Sequence, residues 1–408
     1  MTTPEARMPG SRIVRDRFTL SLYGPFIVWG WFLYGFSPAV PLITKELDIS
    51  RAEAGLHGTA MAVGSVVSGL VSARIAARFG RRSQALLGTA LVAVGVAGLL
   101  VGTVIAATLT AVLVASLGGN LLLSAVQPAL SAHHGGAGPA VLTESNGIGA
   151  AFGLLAPVTV GLTVGAGWGW RPAVAVVIVL ALASAALIAR IPATGALGRT
   201  AVVVHHDDAA APVRGFDPVF WLFFVGLLAG VSLEFSTTFW AADLVLARTS
   251  ASPGVATASV SALVAGMATA RFVVGPMSLR RSPEKLLLVG FTLAALGWIV
   301  MWTATSPVPA VVGLVIMGLG YGTHYPLGIA MVMRSSRGRL DSAQAVATIG
   351  GGIAIGIAPF LLGALADAFG AHRAFILVPV LAVIGGVAVA VALVRTQGRR
   401  GLVPTWNR

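Results

Sequence analysis

The sequence predicts an all-α integral membrane protein: twelve transmembrane helices, in two six-helix bundles related by a pseudo-twofold axis along the membrane normal. Three observations predict it, namely a composition poor in charge, a series of long apolar runs, and an internal repeat. Of the 408 residues, 56% are hydrophobic and 10% are charged, and the mean hydropathy is +0.89. Soluble domains carry about 25% charged residues. A water-facing surface could not be covered by so few charges, which disfavours a large soluble helical protein.

The spans follow from the apolar runs between charge clusters and Gly, Pro or Asn breaks, because a helix crosses the hydrocarbon core in about 20 residues. The first run, at 19–43, follows four arginines but is too long for the apolar core of a signal peptide, which predicts an uncleaved first helix. We expect the third and fourth spans to be joined tightly near Ala107. The predicted spans are 19–44, 54–78, 84–106, 109–132, 142–166, 171–191, 217–247, 254–278, 285–304, 308–333, 341–368 and 371–395.

The distribution of lysine and arginine predicts the orientation. With twelve spans both termini lie on one side, and that side holds 21 of the 27 basic residues, whereas the other holds 5 and Arg271 lies within a span. By the positive-inside rule both termini are cytoplasmic in a multi-pass protein of the cell inner membrane. The same asymmetry accounts for the net charge of +13 without nucleic acid.

An offset of 202 residues aligns the two halves of the chain. Two six-helix halves of this kind are a transporter architecture. The predicted units are an N-terminal bundle at 1–191, a cytoplasmic linker at 192–216 and a C-terminal bundle at 217–408. The pairs that carry the alignment include Arg78 with Arg280, Gly118 with Gly320, Pro157 with Pro359, and Arg171 with Arg373.

The loop after the second span, residues 73–82, reads ARIAARFGRR. It resembles the cytoplasmic loop signature of the major facilitator superfamily, Gly-x-x-x-Asp-Arg-x-Gly-Arg-Arg, with Ala73 and Ala77 in place of Gly and Asp. Residues 153–161 of the fifth span partly resemble the glycine–proline motif of antiporters. The resemblance covers essentially the whole chain. It implies the major facilitator fold and rocker-switch alternating access around a site lined by the first, fourth, seventh and tenth helices.

Two ionisable residues within spans are the candidates for proton coupling, because a charge in the membrane is costly and by default functional. Glu234 lies in the seventh span, where we expect it in the outer half, and its repeat counterpart is Phe32. His324 lies near the middle of the tenth span, opposite Leu122, and we expect it at a different depth from Glu234. The alternative for each is a packing role.

Arg271 in the eighth span, opposite Gly69 in the repeat, either binds an anionic substrate or forms a structural ion pair near the cytoplasmic end. The remaining candidate substrate contacts are aromatic or polar residues of the predicted cavity-lining and neighbouring helices. Some of the aromatic residues could instead face lipid or sit at the membrane interface. The full set of candidate contacts is Trp29, Tyr34, Asn120, Asn146, Glu234, Trp240, Arg271, Tyr321, His324 and Tyr325.

Acidic residues at two predicted helix N-termini suggest a cytoplasmic gate. With the cavity closed on the inside, Asp341 is expected to reach Arg74 or Arg78, and Glu144 to reach Arg280 or Arg281. The alternative is simple capping, because the helix dipole favours acidic groups at an N-terminus.

The predicted function is secondary active transport of a small organic solute, as proton-coupled efflux. The alternatives are a uniporter or proton-coupled importer of an organic anion, and a non-transporting membrane receptor or structural partner. No enzyme activity or cofactor is expected: the sequence has no phosphate-binding Gly-x-x-x-x-Gly-Lys-[Ser/Thr] loop and no cysteine, and its pairs His133-His134 and His205-His206 lack supporting metal ligands. The expected partners are the solute, protons and the lipid bilayer, with no nucleic acid, for a monomeric protein.

Overall fold

The structure is a computed structural model that describes residues 13–134, 137–199, 215–278, 281–336 and 340–401. In this part of the chain twelve helices are long and apolar enough to cross a membrane, which confirms the predicted number. Several spans contain a break. The helices are Arg17–Phe36 continued by Val40–Leu47, Arg51–Phe79, Arg81–Val101, Ile105–His134, Gly138–Gly153 with Leu155–Gly165, Arg171–Ala189, Pro218–Arg248, Pro253–Ala258 with Val260–Ser278, Pro283–Thr303, Pro307–Ser335, Leu340–Phe369, and Ala371–Ala374 with Leu377–Gly401.

The helix ends lie within a few residues of the predicted ones where a capping side chain defines them. Ser50 and Glu53 form a capping box at the start of the second span, and Asp217 caps the seventh. The expected connection at Ala107 is wrong: the third span ends at Val101 and the fourth begins at Ile105. Hydropathy alone did not locate this three-residue loop, because apolar residues flank it on both sides.

The second and third spans are joined by Gly80 alone. Gly80 has a φ of 86°, a conformation that glycine adopts at little cost. The glycine of the loop motif is therefore needed for the backbone turn itself. Arg81 and Arg82, which follow it, donate hydrogen bonds to the carbonyls of Ala196 and Ala189, beyond the end of the sixth span and at its last residue.

Glycines at equivalent repeat positions make the same helix contacts in both halves. A Cβ on Gly118 of the fourth span would lie 2.6 Å from the Gly88 carbonyl oxygen, and a Cβ on Gly320 of the tenth would lie 2.4 Å from that of Gly290. Small residues allow helix backbones this close in membrane proteins. The internal alignment of the sequence thus corresponds to a repeated helix crossing. The exact division at 191 and 217 stays a prediction, since residues 200–214 of the predicted linker lie outside the described residues.

The first six and last six spans pack against each other at one end of the bundle. We call this the opposite end, and the end that carries residues 13–16 and Gly80 the basic end. At the opposite end the Thr59 hydroxyl donates to the Gly356 carbonyl at 2.6 Å, between the second and eleventh spans. Between the fifth and eighth spans, a Cβ on Gly161 would lie 2.5 Å from the Gly254 carbonyl oxygen. We interpret the structure as a conformation that is closed at the opposite end.

Candidate functional site

An acid and a base lie together near the middle of the bundle. Glu234 occupies the midpoint of the 31-residue helix Pro218–Arg248, and its Oε1 lies 4.0 Å from Nη2 of Arg271 in the eighth span. Their side chains are 15% and 35% exposed, respectively, although both residues lie within spans. The sequence led us to expect Glu234 in the outer half, and Arg271 either at an anionic substrate or in a structural ion pair near the cytoplasmic end. The structure makes the two residues neighbours.

Tyr34 brings the first span to this ion pair. Its hydroxyl lies close enough to interact with the Arg271 guanidinium. Close packing of the first and fifth spans holds the tyrosine in place: a Cβ on Gly30 would lie 2.3 Å from the Gly149 carbonyl oxygen, and one on Gly153 would lie 2.6 Å from the Tyr34 ring. The glycines of the fifth span therefore determine where Tyr34 stands. We call Tyr34, Glu234 and Arg271 the central cluster.

Two tyrosines of the tenth span lie near enough to the central cluster to interact with it electrostatically. Tyr321 and Tyr325 both interact with the Glu234 carboxylate at longer range. The Tyr325 side chain is 50% exposed, whereas Tyr321 is fully buried and its hydroxyl is paired with Thr237 at 2.8 Å. Only Tyr325 of the two is therefore exposed in this conformation.

Three other candidate contacts lie in the N-terminal half. Trp29 packs its ring on Gly119 of the fourth span, where a Cβ would overlap the ring at 2.1 Å. Asn120 accepts a hydrogen bond from Ser65 at 3.3 Å and donates one to the Ser116 carbonyl at 2.9 Å. Asn146 is exposed and donates to the carbonyl of Leu142 within its own helix. These contacts join helices or stay within one helix, and none of them reaches the central cluster.

Two further candidates are buried away from the central cluster. Trp240 donates its indole N–H to the Pro359 carbonyl at 2.8 Å, which ties the seventh span to the eleventh. His324 is 1% exposed and stacks on Phe291 of the ninth span with ring centroids 4.2 Å apart. A Cβ on Gly230, one helical turn from Glu234, would lie 2.5 Å from the His324 Cβ. In depth His324 is thus about a turn from Glu234, but its ring faces the ninth span.

The candidate gating residues at the basic end have local partners in this conformation. Glu144 forms two 2.8 Å hydrogen bonds with Arg15. Arg74 donates to the Leu70 carbonyl of its own helix, and Arg78 lies over the adjacent ring of Phe79. The residues expected to pair across the halves give no test of that pairing: Arg281 is exposed, while Arg280 and the side chain of Asp341 lie outside the described residues.

An inter-half ion cluster at the opposite end was not anticipated from the sequence. Arg51 Nε lies 2.9 Å from Asp243 Oδ2 of the seventh span. Asp367 of the eleventh span accepts backbone N–H bonds from Arg51 at 3.0 Å and Ala52 at 2.8 Å, so it caps the second span from the other half. The signal available in the sequence was three charged residues at predicted span ends on one side of the membrane. Without the pairing of the second and eleventh spans they could not be connected.

The central cluster offers a carboxylate, a cation and one phenol hydroxyl. No group of three or more His, Asp or Glu that could hold a metal ion occurs among the described residues. A cluster of this composition can bind and orient a polar solute and exchange a proton with it.

Sequence comparison matches this chain to the family model of the Major Facilitator Superfamily at residues 26–250 and 222–408. An uncharacterized MFS-type transporter of Burkholderia mallei (strain SAVP1) is 33% identical over 119 residues, which are 28% of each chain. One of Pseudomonas aeruginosa (strain LESB58) is 29% identical over 121 residues, 29% of each. The matched region thus spans less than a third of these relatives' length.

Solved transporters share the fold. A peptide transporter, POT, in complex with sulfate superposes with a TM-score of 0.76 at 13% identity and covers 95% of this chain and 96% of its own. For the nucleoside transporter NupG the TM-score is 0.69 at 14% identity, with 92% and 98% covered. For a D-xylose–proton symporter the score is 0.72 at 13% identity, with 92% and 96% covered. With the family model matched along nearly the whole length and the twelve-helix fold in place, this membrane protein belongs to the major facilitator superfamily of secondary transporters.

Proposed function

We propose that the protein is a proton-coupled transporter that moves a small organic solute across the cytoplasmic membrane by alternating access, with Glu234 as the group that binds the proton. The observation that carries the proposal is the Glu234–Arg271 contact in the middle of the bundle, with both side chains partly exposed. Ionisable residues within spans mark ion and substrate pathways in transporters. The repeat supports a coupling role, because Phe32 and Gly69 stand at the equivalent positions of the first half and the pair is therefore not part of the shared scaffold.

The orientation and gating proposals complete this mechanism. The excess of arginine at the basic end supports its assignment to the cytoplasm, with both termini there. The conformation described above is then closed on the side away from the cytoplasm. When the basic end closes, we propose that Asp341 reaches Arg74 or Arg78 and that Glu144 exchanges Arg15 for Arg280 or Arg281.

The direction of transport follows from the gradients. The partial antiporter-like motif of the fifth span favours efflux, whereas the cation of the central cluster favours the second candidate, carriage of an organic anion with a proton. A carrier that moves the solute and a proton together exports the solute whenever the outward solute gradient exceeds the inward proton gradient. Efflux and co-transport with a proton are therefore compatible in one protein.

The test is flux in proteoliposomes loaded with a pH-sensitive dye, with each solute that raises the melting temperature of the purified protein. We expect solute addition to move protons, and a pH gradient to drive solute uphill. Glu234→Gln should abolish gradient-driven transport and keep solute counterflow, because exchange needs no net proton movement. The control is Asp48→Asn, which neutralises an exposed carboxylate at a left-handed position that suits Asn. Intact gradient-driven transport in Glu234→Gln would contradict the proposal.

A further inference from the structure

Arg271 has hydrogen-bonding capacity that the described residues fill only in part. A guanidinium carries five N–H donors. Its contact with Glu234 is 4.0 Å, which is beyond hydrogen-bond distance, and among the described residues the Tyr34 hydroxyl is the other group that interacts with it. Its side chain is 35% exposed, so the described residues do not cover all of these donors. An anion is the chemical complement of this group.

Glu234 and an anionic ligand would compete for the same cation. While Glu234 is ionised, a bound anion would place a second negative charge beside the carboxylate. Once Glu234 binds a proton, that repulsion is removed and the Arg271 guanidinium can donate two parallel hydrogen bonds to a carboxylate. Proton binding and anion binding therefore strengthen each other, and by linkage the effect is reciprocal.

In the described part of the chain, no second cation or carboxylate interacts with this pair. Among the described residues, the titratable groups that interact with Glu234 are Arg271 on the eighth span, Tyr34 on the first, and Tyr321 and Tyr325 on the tenth. The phenols are neutral near pH 7, since an unperturbed tyrosine titrates near 10. His324, the remaining ionisable candidate in these spans, is stacked on Phe291 and does not face the carboxylate.

The charged residues around the pair also determine which ligand charge is favoured. A cationic ligand would be repelled by Arg271 once Glu234 is protonated, and a zwitterion would need a second carboxylate for its ammonium group. The nearby acids at the opposite end do not provide one, because Asp243 is engaged by Arg51. The half-exposed ring of Tyr325 lies near Glu234. The partly buried Tyr34 lies near Arg271, so both rings add aromatic surface to the surroundings of the pair. A single anionic group on an apolar or aromatic body fits all of these features.

We propose that the substrate is a small organic monoanion, with a carboxylate bound by Arg271 while Glu234 carries a proton, so that the anion and the proton cross together. The assignment deepens the proposed function and rests on it for the transport of the proton. The binding step stands on the geometry of Arg271 and Glu234.

The test uses two sets of probes that share a carbon skeleton and differ in charge: phenylacetate, phenylacetamide and phenethylamine, and hexanoate, hexanamide and hexylamine. The full-length protein in detergent is melted with each probe at pH 6 and pH 8. We expect the carboxylates alone to raise the melting temperature, and more at pH 6. The proposal is overturned if neither carboxylate raises it at either pH, if the amides or amines match the carboxylates, or if stabilisation is greater at pH 8.

Two variants connect this result to the residues. Arg271→Gln should weaken carboxylate binding by about tenfold or more, because charge-assisted hydrogen bonds are lost, while Arg190→Gln removes an exposed arginine at the end of the sixth span and should bind as the parent does. If Arg271→Gln does not fold, Glu234→Gln provides the second arm, since it should bind carboxylates equally at both pH values. Parent-like binding in Arg271→Gln, or a retained pH dependence in Glu234→Gln, overturns the proposal.

These arms measure binding and not transport, so they separate the two proposals. Carboxylate binding through Arg271 without proton-driven flux would overturn the coupling and keep the substrate class. Proton-driven flux of another solute, with no carboxylate binding, would overturn the substrate class and keep the coupling.

Discussion

At the scale of single residues, the central cluster depends on hydroxyl and charge contacts that the surrounding packing holds in place. Tyr34 is the member contributed by the first span, and its hydroxyl interacts with Arg271. Because a net hydrogen bond contributes about 1 kcal/mol, we expect its loss to affect solute affinity without unfolding the protein.

Tyr34→Phe should raise the KM for a transported solute roughly three- to tenfold, the ratio expected for about 1 kcal/mol, and leave the melting temperature unchanged. Tyr23→Phe is the matched control. The Tyr23 hydroxyl donates to Glu144 at 2.7 Å, near the basic end, so its loss should lower the melting temperature and leave KM unchanged. Equal KM values for Tyr34→Phe and the parent would remove Tyr34 from the binding site.

Residue-level reasoning from the sequence identified Glu234, Arg271 and Tyr34 as separate candidates but not as neighbours. Depth along a helix was estimated from residue count alone. The long Arg271 side chain and the close packing of the first span on Gly149 and Gly153 cannot be obtained from such a count. For His324 the residue count predicts a position near the middle of its span but not the face of the helix, which decides that its ring stacks on Phe291.

At the scale of helices, close crossings through glycine hold each half together. Gly118→Ala should destabilise the protein by about 1–3 kcal/mol, because the added methyl would lie 2.6 Å from backbone atoms of Gly88 and Val92. Gly69→Ala is the control, since a Cβ there meets nothing within 4 Å and alanine is the better helix former. Thermal unfolding of the purified variants measures both. An equal melting temperature for the two would contradict this account of the crossing.

Helix contacts between the halves form the closure at the opposite end. Asp367→Asn removes the charge that caps the second span and pairs with Arg51, so we expect the opposite end to open more often. A disulfide between Ala62→Cys and Gly356→Cys reports closure, because the Cβ atoms at these positions lie 3.3 Å apart. Asp367→Asn should slow disulfide formation several-fold relative to the parent pair. An unchanged rate would show that this cap does not hold the end closed.

The helices themselves were largely predictable, because about 20 apolar residues are needed for each crossing and charges mark the ends. Breaks within spans were not, and neither was the loop at 102–104, which hydropathy does not distinguish from its surroundings. The pairing of the second and eleventh spans is a tertiary contact between residues far apart in the sequence. This pairing brings Arg51, Asp243 and Asp367 together, and no local sequence pattern predicts it.

At the scale of the whole molecule, the distribution of arginine predicts which end faces the cytoplasm. The chain has no cysteine, so single introduced cysteines can be labelled without background. Thr103→Cys, exposed at the opposite end, should react with a membrane-impermeant maleimide in intact cells. Thr194→Cys, exposed at the basic end, should react only after the cells are permeabilised. The reverse pattern would invert the proposed orientation.

The central claim is that Glu234 binds the coupling proton, and we expect its protonation to shift the balance between the two conformations of alternating access. Spin labels at Thr103→Cys and Thr305→Cys, exposed repeat-equivalent positions at the opposite end, report the separation of the two halves there. Double electron–electron resonance measures the distribution of distances between the two labels. In the parent, the populations of the short and long distances should change between pH 6 and pH 8. In the Glu234→Gln background the distribution should be the same at both pH values. A parent whose distances ignore pH, or a Glu234→Gln protein that keeps the parent's pH dependence, would contradict the claim.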